Sequence, residues 1–223
     1  ETNTLYHNLA GEAFGDSTAE SRLAAPSRAT LGFGTEFFDA DNDGWLDLFV
    51  ANGHISDNRW MDKDQAYRMP PQLFQNVSGK RFVDVSKSCG DYFLGQYLGR
   101  GVAVSDLDND GDLDIVVVES VGPVWVFINN ETDNNAVTFE LRDAQGNHFG
   151  IGSRIIISYG DGKQQLREVR LSGGFVSYNA PVAHFGIGVN DRIDTVRIEW
   201  PTGTVTELSG DFVPGKRYVI NRQ

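Results

Sequence analysis

The sequence predicts an all-β protein in two parts: the C-terminal blades of a β-propeller in residues 1–131 and a small β-sandwich or barrel domain in residues 132–223. Three observations lead to this prediction. The first part contains an internal repeat, each copy of the repeat carries an aspartate-rich loop, and the second part consists of short strand-like segments. Short strands in a repeating unit are typical of propellers, and short strands without such a repeat are typical of sandwiches and barrels.

The internal repeat has a period of 67 residues, which aligns Leu31–Asp47 with Leu98–Asp114. A second segment also recurs, since Leu5–Asp16 matches Leu73–Asp84 through a shared N-x-x-G-x-x-F pattern. Each unit is therefore a loop-bearing half followed by a hairpin half. A propeller needs at least about four blades, whereas this sequence holds about two. We therefore expect the chain to be the C-terminal end of a longer propeller.

The aspartate-rich loop has the same spacing in both copies, with carboxylates at loop positions 1, 3, 5 and 9 and glycine at position 6. Neighbouring carboxylates repel by roughly 1 kcal/mol in water and about 4 kcal/mol near a protein surface. A hard dication that takes six to eight oxygen ligands removes this repulsion, so the spacing predicts two Ca²⁺ sites. The predicted ligands are Asp39, Asp41, Asp43, Trp45 and Asp47 in the first loop and Asp106, Asp108, Asp110, Asp112 and Asp114 in the second. Trp45 and Asp112 would contribute their backbone carbonyls at position 7.

These loops differ from the EF-hand, because Val50 and Val117 occupy position 12, where that motif has a bidentate glutamate. Both loops also run into apolar, strand-like segments instead of helices. The alternative is that they are ordinary Asp/Asn/Gly turns between two strands, with no metal. The presence of the same four aspartates in two copies favours the metal.

The second part of the sequence lacks the aspartate pattern and contains seven short strand-like runs from residue 134 onward. They are Val137–Leu141, Arg154–Tyr159, Leu166–Leu171, Val182–Phe185, Thr195–Trp200, Val205–Leu208 and Arg217–Ile220. Gly160–Gly162 and Pro201–Gly203 supply turn residues between consecutive runs. Seven short strands over this length predict a sandwich or barrel.

The composition is acidic, with 31 Asp and Glu residues against 19 Lys and Arg and a formal net charge of −12. This balance argues against binding to a nucleic-acid backbone. We also expect no transmembrane segment, because no apolar run approaches the ~20 residues that span a bilayer. Calcium loops in extracellular modules bind in the millimolar range, so the metal prediction implies a secreted, extracellular or periplasmic protein. The lone Cys89 excludes an internal disulfide framework.

A long connection, Asn52–Gln72, separates the loop-bearing half from the hairpin half of the complete repeat. Connections of this length are usually functional or disordered. Trp60 and Tyr67, beside charged residues, make it the candidate surface for a protein or carbohydrate partner. The interpretation that we favour for the segment is a lid that packs its own aromatic side chains over a blade.

Both parts of the sequence resemble known families. The repeats resemble FG-GAP/VCBS calcium-loop propellers, and the loop aspartates match the D-x-D-x-D-G-x-x-D pattern of that family. The second part resembles the ASPIC/UnbV domain of the cartilage acidic protein-like family, through Gly150–Ile155, Gln165–Pro181, His184–Gly188 and Asp194–Gly203. The resemblance implies a propeller of about seven blades in an extracellular or periplasmic, calcium-binding and non-enzymatic protein.

Two functions from different classes fit these observations. The first is a secreted, calcium-stabilised, non-catalytic binding or adhesion module. The alternative is an enzyme domain or accessory subunit, with its site in the ASPIC/UnbV-like part or in further blades; Arg154, Arg167 and His184 are the residues to examine. No catalytic motif of the G-x-S-x-G, H-E-x-x-H or C-x-x-C type is present, so no catalytic residue is predicted. The sequence does not determine the oligomeric state.

Overall fold

The computed structural model describes residues 2–130, 133–144, 146–171 and 173–222, and these residues form a nearly all-β structure. The strands are β1 (Tyr6–Leu9), β2 (Ala13–Asp16), β3 (Gly32–Phe38), β4 (Asp47–Asn52), β5 (Gln72–Val77), β6 (Arg81–Asp84), β7 (Gly99–Ser105), β8 (Asp114–Glu119), β9 (Val124–Phe127), β10 (Asn135–Arg142), β11 (Arg154–Tyr159), β12 (Lys163–Glu168), β13 (Val182–Gly188), β14 (Ile193–Glu199), β15 (Val205–Phe212) and β16 (Lys216–Asn221). Helical segments are short: α1 (Ala24–Ser27) and the 3₁₀ turns Ser86–Ser88 and Asp91–Leu94. In this described part of the chain, the helices are too short and too polar to serve as membrane spans.

The predicted repeat appears as two antiparallel sheets with matching register. One sheet has the order β3-β4-β5-β6 and the other has the order β7-β8-β9, while β1 and β2 form a separate hairpin. Phe38 pairs with Asp47 in the first sheet as Ser105 pairs with Asp114 in the second, and each first strand has a register shift at its glycines. The all-β prediction is confirmed. The propeller itself stays a prediction, since the sheets of the described residues do not close into a ring.

All residues of strand β4 are buried, so this strand packs between neighbouring layers of the structure. Its apolar run packs on both faces. Phe49 lies in a cluster with Val102 and Val117 of the following sheet, whereas Val50 packs with Phe74 and Leu23 on the opposite face. Burying a side chain of this size contributes about 1.5–3 kcal/mol. A sheet with a core on each face has the layered environment that a propeller blade requires.

The C-terminal part, β10–β16, is a sandwich of two sheets, and we call it the C-terminal sandwich. One sheet has the order β13-β10-β16, in which β10 and β16 run parallel, and the other has the order β12-β11-β14-β15. Both sheets contribute to one apolar core, which includes Phe139 and Phe185 from the first and Ile155 and Ile198 from the second. All seven predicted strand runs are present in the structure. The third is displaced, since β12 spans Lys163–Glu168 instead of Leu166–Leu171.

The C-terminal sandwich packs against the repeat sheets through the segment that precedes β13. The backbone N–H groups of Val102 and Val104 on β7 donate to Ser177 Oγ (3.3 Å) and Asn179 Oδ1 (3.0 Å). The ring of Phe175 meets that of Phe33 edge to face, with the centroids 5.2 Å apart. These contacts cover the free edge of β7, which would otherwise expose unpaired backbone groups.

Candidate metal centres

Both aspartate-rich loops have positive φ angles at the same two positions. Loop 1 (Asp39–Asp47) joins β3 to β4, and loop 2 (Asp106–Asp114) joins β7 to β8. Position 4 is left-handed in each loop, with φ of 55° at Asn42 and 64° at Asn109, and asparagine tolerates this region better than most residues. Position 6 has φ of 98° at Gly44 and 103° at Gly111, where glycine avoids strain. The shared sequence therefore produces one shared turn.

The aspartate at position 9 ties each loop to the neighbouring strands through the backbone. In loop 1, Asp47 Oδ2 accepts from the N–H of Ala40 (2.9 Å) and Oδ1 accepts from the N–H of Asn76 (2.7 Å). The corresponding bonds of loop 2 run from Leu107 N and Asn129 N to Asp114, at 2.7 and 2.8 Å. Asn76 of the N-x-x-G pattern therefore anchors loop 1 through its backbone N–H, and its Nδ2 also donates to the carbonyl of Leu46 at 2.9 Å. The sequence pattern alone did not reveal this role.

Three carboxylates converge in each loop. In loop 1, Asp39, Asp41 and Asp43 offer oxygens that lie within 4.8 Å of one another. In loop 2 the converging set is Asp106, Asp108 and Asp114. These acidic clusters can hold a metal ion, because their oxygens are close enough to share one cation.

The remaining predicted ligands lie beside these clusters. Asp110 is exposed and accepts a hydrogen bond from the N–H of Asp112 at 2.9 Å. The N–H of Trp45 makes the equivalent bond to Asp43 at 2.8 Å. The Trp45 ring is 46% exposed and lies over Gly79, where an added Cβ would come 2.8 Å from Trp45 Cε3. The side chain of Trp45 therefore packs on the β5–β6 turn. Only the carbonyl of Trp45 is expected to bind the metal.

The fit of a cation can be tested on the buried polar atoms. Oδ1 of Asp39 and Oδ1 of Asp106 are both buried without a hydrogen-bond donor among the described residues. These two atoms are equivalent, since each belongs to the aspartate at position 1 of its loop. A buried carboxylate oxygen without a partner is costly unless a positive charge compensates it. The donor set, all oxygen, therefore fits a hard cation such as Ca²⁺.

Loop 1 is electrostatically strained without a cation. Burial raises the pKa of Asp39 to about 8, and the neighbouring Asp43 and Asp47 add to this effect, while Arg167 opposes it. Burial also raises the pKa of Asp47 to about 7. In loop 2, burial raises the pKa of Asp106. Each of these shifts reflects the cost of ionising a carboxyl group that is removed from water.

The two loops are joined directly by a buried side chain. Nδ2 of Asn42 in loop 1 donates to Oδ1 of Asp112 in loop 2 at 2.7 Å. Asn42 is completely buried, whereas its counterpart Asn109 is exposed. The equivalent asparagines therefore have different roles, although their positions in the repeat are identical.

A cavity of about 240 Å³ between loop 1 and the C-terminal sandwich contains two of the residues that the enzyme alternative requires. Arg167 and His184 both line it, together with Asp39. Arg154 lies elsewhere and pairs with Glu199 at 3.4 Å. Nε2 of His184 lies 2.9 Å from the carbonyl oxygen of Gly111, so this nitrogen carries the proton of the bond. Burial lowers the pKa of His184 to about 4, so that it remains neutral near pH 7.

Comparison with known proteins identifies the same two kinds of domain that the motifs predict. Residues 39–117, which include both loops, match the family model of the FG-GAP-like repeat. Residues 143–223 match the family model described as ASPIC and UnbV. The chain thus carries an FG-GAP-like repeat followed by an ASPIC and UnbV domain, which confirms the resemblance drawn from the sequence.

The chain is also similar to particular proteins. It is 31% identical to cartilage acidic protein 1 of Homo sapiens over 168 residues, which are 74% of this chain and 24% of that protein. It is 29% identical to cartilage acidic protein 1 of Mus musculus over 194 residues, which are 86% of this chain and 28% of that protein. The chain therefore spans about a quarter of the length of these relatives.

Proposed function

We propose that this protein is a secreted calcium-binding module with a non-catalytic binding or adhesion function, in which Ca²⁺ occupies both loops. The observation that carries the proposal is the pair of buried oxygens without donors, Asp39 Oδ1 and Asp106 Oδ1, at equivalent positions of the two loops. One such atom could be accidental, but two at the same loop position indicate a common partner. A cation in each loop would be that partner.

Calcium is the cation that the donor chemistry supports best. The converging groups are carboxylates, and no histidine or cysteine belongs to either cluster of the described residues. Zinc and copper favour nitrogen and sulfur ligands, and magnesium usually retains several waters. Carboxylates at loop positions 1, 3, 5 and 9, with a carbonyl at position 7, suit the larger and more flexible shell of Ca²⁺. The proposed ligands remain those predicted from the sequence.

Calcium would act here by stabilising the fold. An ion that binds only the folded chain adds about 2.7 kcal/mol of stability when its concentration is 100 times its Kd. Similarity to proteins named cartilage acidic protein supports an extracellular or periplasmic location, where calcium is abundant. The two sheets would then be blades of a propeller, and the C-terminal sandwich would begin near residue 132.

The proposed ligand surface is the connection between β4 and β5. Met69 anchors this segment, since it is buried and its backbone bridges to Tyr97. Trp60 and Met61 project from it, and Trp60 is 80% exposed. An exposed aromatic side chain beside charged groups is suited to a protein or carbohydrate partner. If the segment were only a lid, its aromatic side chains would be packed against a blade. The high exposure of Trp60 disagrees with that expectation.

Calcium titration by calorimetry, on protein stripped with EGTA, tests the proposal. We expect two sites and a rise in Tm when calcium is added. Magnesium at the same concentration is the matched control and should stabilise the protein less. Absence of calcium binding would show that the loops are only turns, and the calcium-dependent function would be wrong.

A further inference from the structure

The C-terminal sandwich contacts the backbone of loop 1 at Asp41 and Asn42, which lie between the converging aspartates Asp39 and Asp43. The carbonyl of Asp41 accepts a hydrogen bond from Nδ2 of Asn134, directly before β10, at 2.7 Å. The carbonyl of Asn42 accepts one from the N–H of Gly188, at the end of β13, at 2.8 Å. Two successive peptide groups of loop 1 are therefore held by residues that lie more than 90 positions away in the sequence.

Gly186 explains why the sandwich can approach this closely. A Cβ at Gly186 would overlap Oδ2 of Asp39 and would lie 2.5 Å from Cα of Asn42. Separations below about 3 Å do not occur for real Cβ atoms, so no other residue fits at this position without displacing loop 1. On the other side of the loop, a Cβ at Gly44 would lie 2.9 Å from Nε2 of Gln165.

Loop 2 is held differently. The sandwich meets it at Gly111, whose carbonyl accepts from Nε2 of His184. A Cβ at Gly111 would have Cα of Gly215, at 3.8 Å, as its nearest neighbour, which is an ordinary van der Waals contact. Asp108 and Asp110 of this loop are exposed. The difference between the loops therefore lies at positions 1 and 3, where Asp39 and Asp41 are more buried than Asp106 and Asp108; the aspartates at position 5 are exposed in both loops and those at position 9 are buried in both.

We propose that the C-terminal sandwich is a structural part of the first metal centre: Gly186, Gly188 and Asn134 are positioning residues that hold loop 1 in the shape that binds calcium. The affinity of loop 1 then depends on the docking of the sandwich, whereas that of loop 2 depends on it much less. This inference rests on the proposed calcium function.

The physical basis is preorganisation. Peptide groups fixed before the ion arrives need not be ordered when it binds, so less binding free energy is lost. Removing outer-shell partners of metal ligands typically weakens metal binding by about 10- to 100-fold. Coupling between two binding events is reciprocal. Calcium in loop 1 therefore stabilises the docked position of the sandwich.

The test measures each loop separately in the full chain. Asp108→Ala with Asp110→Ala leaves only loop 1 able to bind, and Asp41→Ala with Asp43→Ala leaves only loop 2. Gly186→Ala is then introduced into each background, and calcium affinity is measured by calorimetry. We expect an affinity loss of about 10- to 100-fold for loop 1 and less than about threefold for loop 2.

Two further variants keep the test decisive. Gly210→Ala is the matched control, because nothing lies within 4 Å of a Cβ at this position. Asn134→Ala removes one hydrogen bond at a half-buried site and should fold even if Gly186→Ala does not. It should weaken loop 1 by about fivefold, as expected for the loss of one hydrogen bond.

Hydrogen exchange supplies a measurement that general destabilisation would not reproduce. Calcium should slow exchange of the Gly188 N–H, and this protection should disappear in the Asp41→Ala, Asp43→Ala variant but persist in the loop 2 variant. If neither background binds calcium, the proposed calcium function fails. If both bind and Gly186→Ala and Asn134→Ala match Gly210→Ala, or weaken both loops equally, the positioning inference is wrong.

Discussion

Loop 1 and loop 2 have the same aspartate spacing and similar φ angles at positions 4 and 6, yet they occupy different environments. Asp39 is 1% exposed at the junction with the C-terminal sandwich, while its counterpart Asp106 is partly exposed. Burial raises the pKa of Asp39 to about 8. The comparison shows that local sequence determines the conformation of the loop, whereas packing by distant residues determines how strongly its charges are confined.

The largest expected effect is the loss of calcium-dependent stability when one loop is disabled. Asp41→Ala with Asp43→Ala should remove one calcium and about 3 kcal/mol of stabilisation at saturating calcium, because the ion binds only the folded chain. Asp108→Ala with Asp110→Ala should lose less, since loop 2 is more open to solvent. Thermal unfolding with and without calcium measures both. Equal losses would contradict the difference between the loops.

Acid should act next most strongly, through His184. Burial lowers the pKa of this residue to about 4, against 6.5 in the unfolded chain, so the unfolded state binds the proton more readily. The contribution of His184 to stability should therefore fall as pH decreases from 6.5 to 4, by up to about 3 kcal/mol. In calcium-free protein the raised pKa values of Asp39 and Asp47 act in the opposite direction, because the folded state then binds their protons more readily. The amide groups that hold loop 1 do not titrate.

The variant His184→Gln isolates this contribution. It should remove the His184 contribution, so that the free energy of unfolding of the variant increases relative to that of the parent protein, by up to about 3 kcal/mol, as pH falls from 6.5 to 4. Urea titration of both proteins in the absence of calcium measures this difference. His7→Gln changes an exposed histidine and serves as the control. An unchanged pH profile in His184→Gln would show that this residue does not titrate on unfolding.

The equivalent asparagines give an intermediate effect. Asn42→Gly should cost about 1–3 kcal/mol, because it removes the buried hydrogen bond from Asn42 Nδ2 to Asp112 Oδ1. Asn109→Gly should change stability by less than about 0.5 kcal/mol, as expected for an exposed side chain. Glycine accepts the left-handed conformation at both positions, so backbone strain does not enter the comparison. Chemical denaturation measures the free energy of unfolding of the two variants. Similar losses of stability in both would rule out a special role for Asn42.

The smallest expected difference between the loops concerns the glycines at position 6. Gly44→Ala and Gly111→Ala should both lose about 1–3 kcal/mol from strain at positive φ. Gly44→Ala should lose up to about 1 kcal/mol more, since Gln165 must move away from the new Cβ. The difference between the melting temperatures of the two variants measures this additional destabilisation. A larger loss at Gly111 would reverse the predicted order.

The elements that could be predicted from the sequence are those determined by residues close to one another along the chain or by the repeat. Alternation and turn residues located the strands of the C-terminal sandwich, and the period of 67 residues predicted that β7 and β8 repeat β3 and β4. The acidic spacing indicated which aspartates gather in each loop. In the first loop Asp39, Asp41 and Asp43 converge, and in the second Asp114 replaces Asp110 in the converging set.

The enclosure of loop 1 could not be predicted in this way. Asp39 and Gly186 lie far apart in sequence, and neither belongs to a pattern that refers to the other. Gly186 and Gly188 follow a strand-like run whose local pattern does not identify a packing partner. Burial of Asn42 depends on the same distant contact, so equivalent positions of a repeat need not be equivalent in energy.

The side-chain contacts on β7 have a consequence for how the C-terminal sandwich finds its place. Two strands paired through their backbones can shift by two residues and still satisfy every hydrogen bond, because the backbone pattern repeats. Ser177 and Asn179 instead cap the N–H groups of Val102 and Val104 with side chains of different length. If the segment moved by two residues along β7, the short serine and the longer asparagine would no longer each face the N–H group that fits its length. The edge of β7 is therefore closed to other strands and, at the same time, specifies a single docking position.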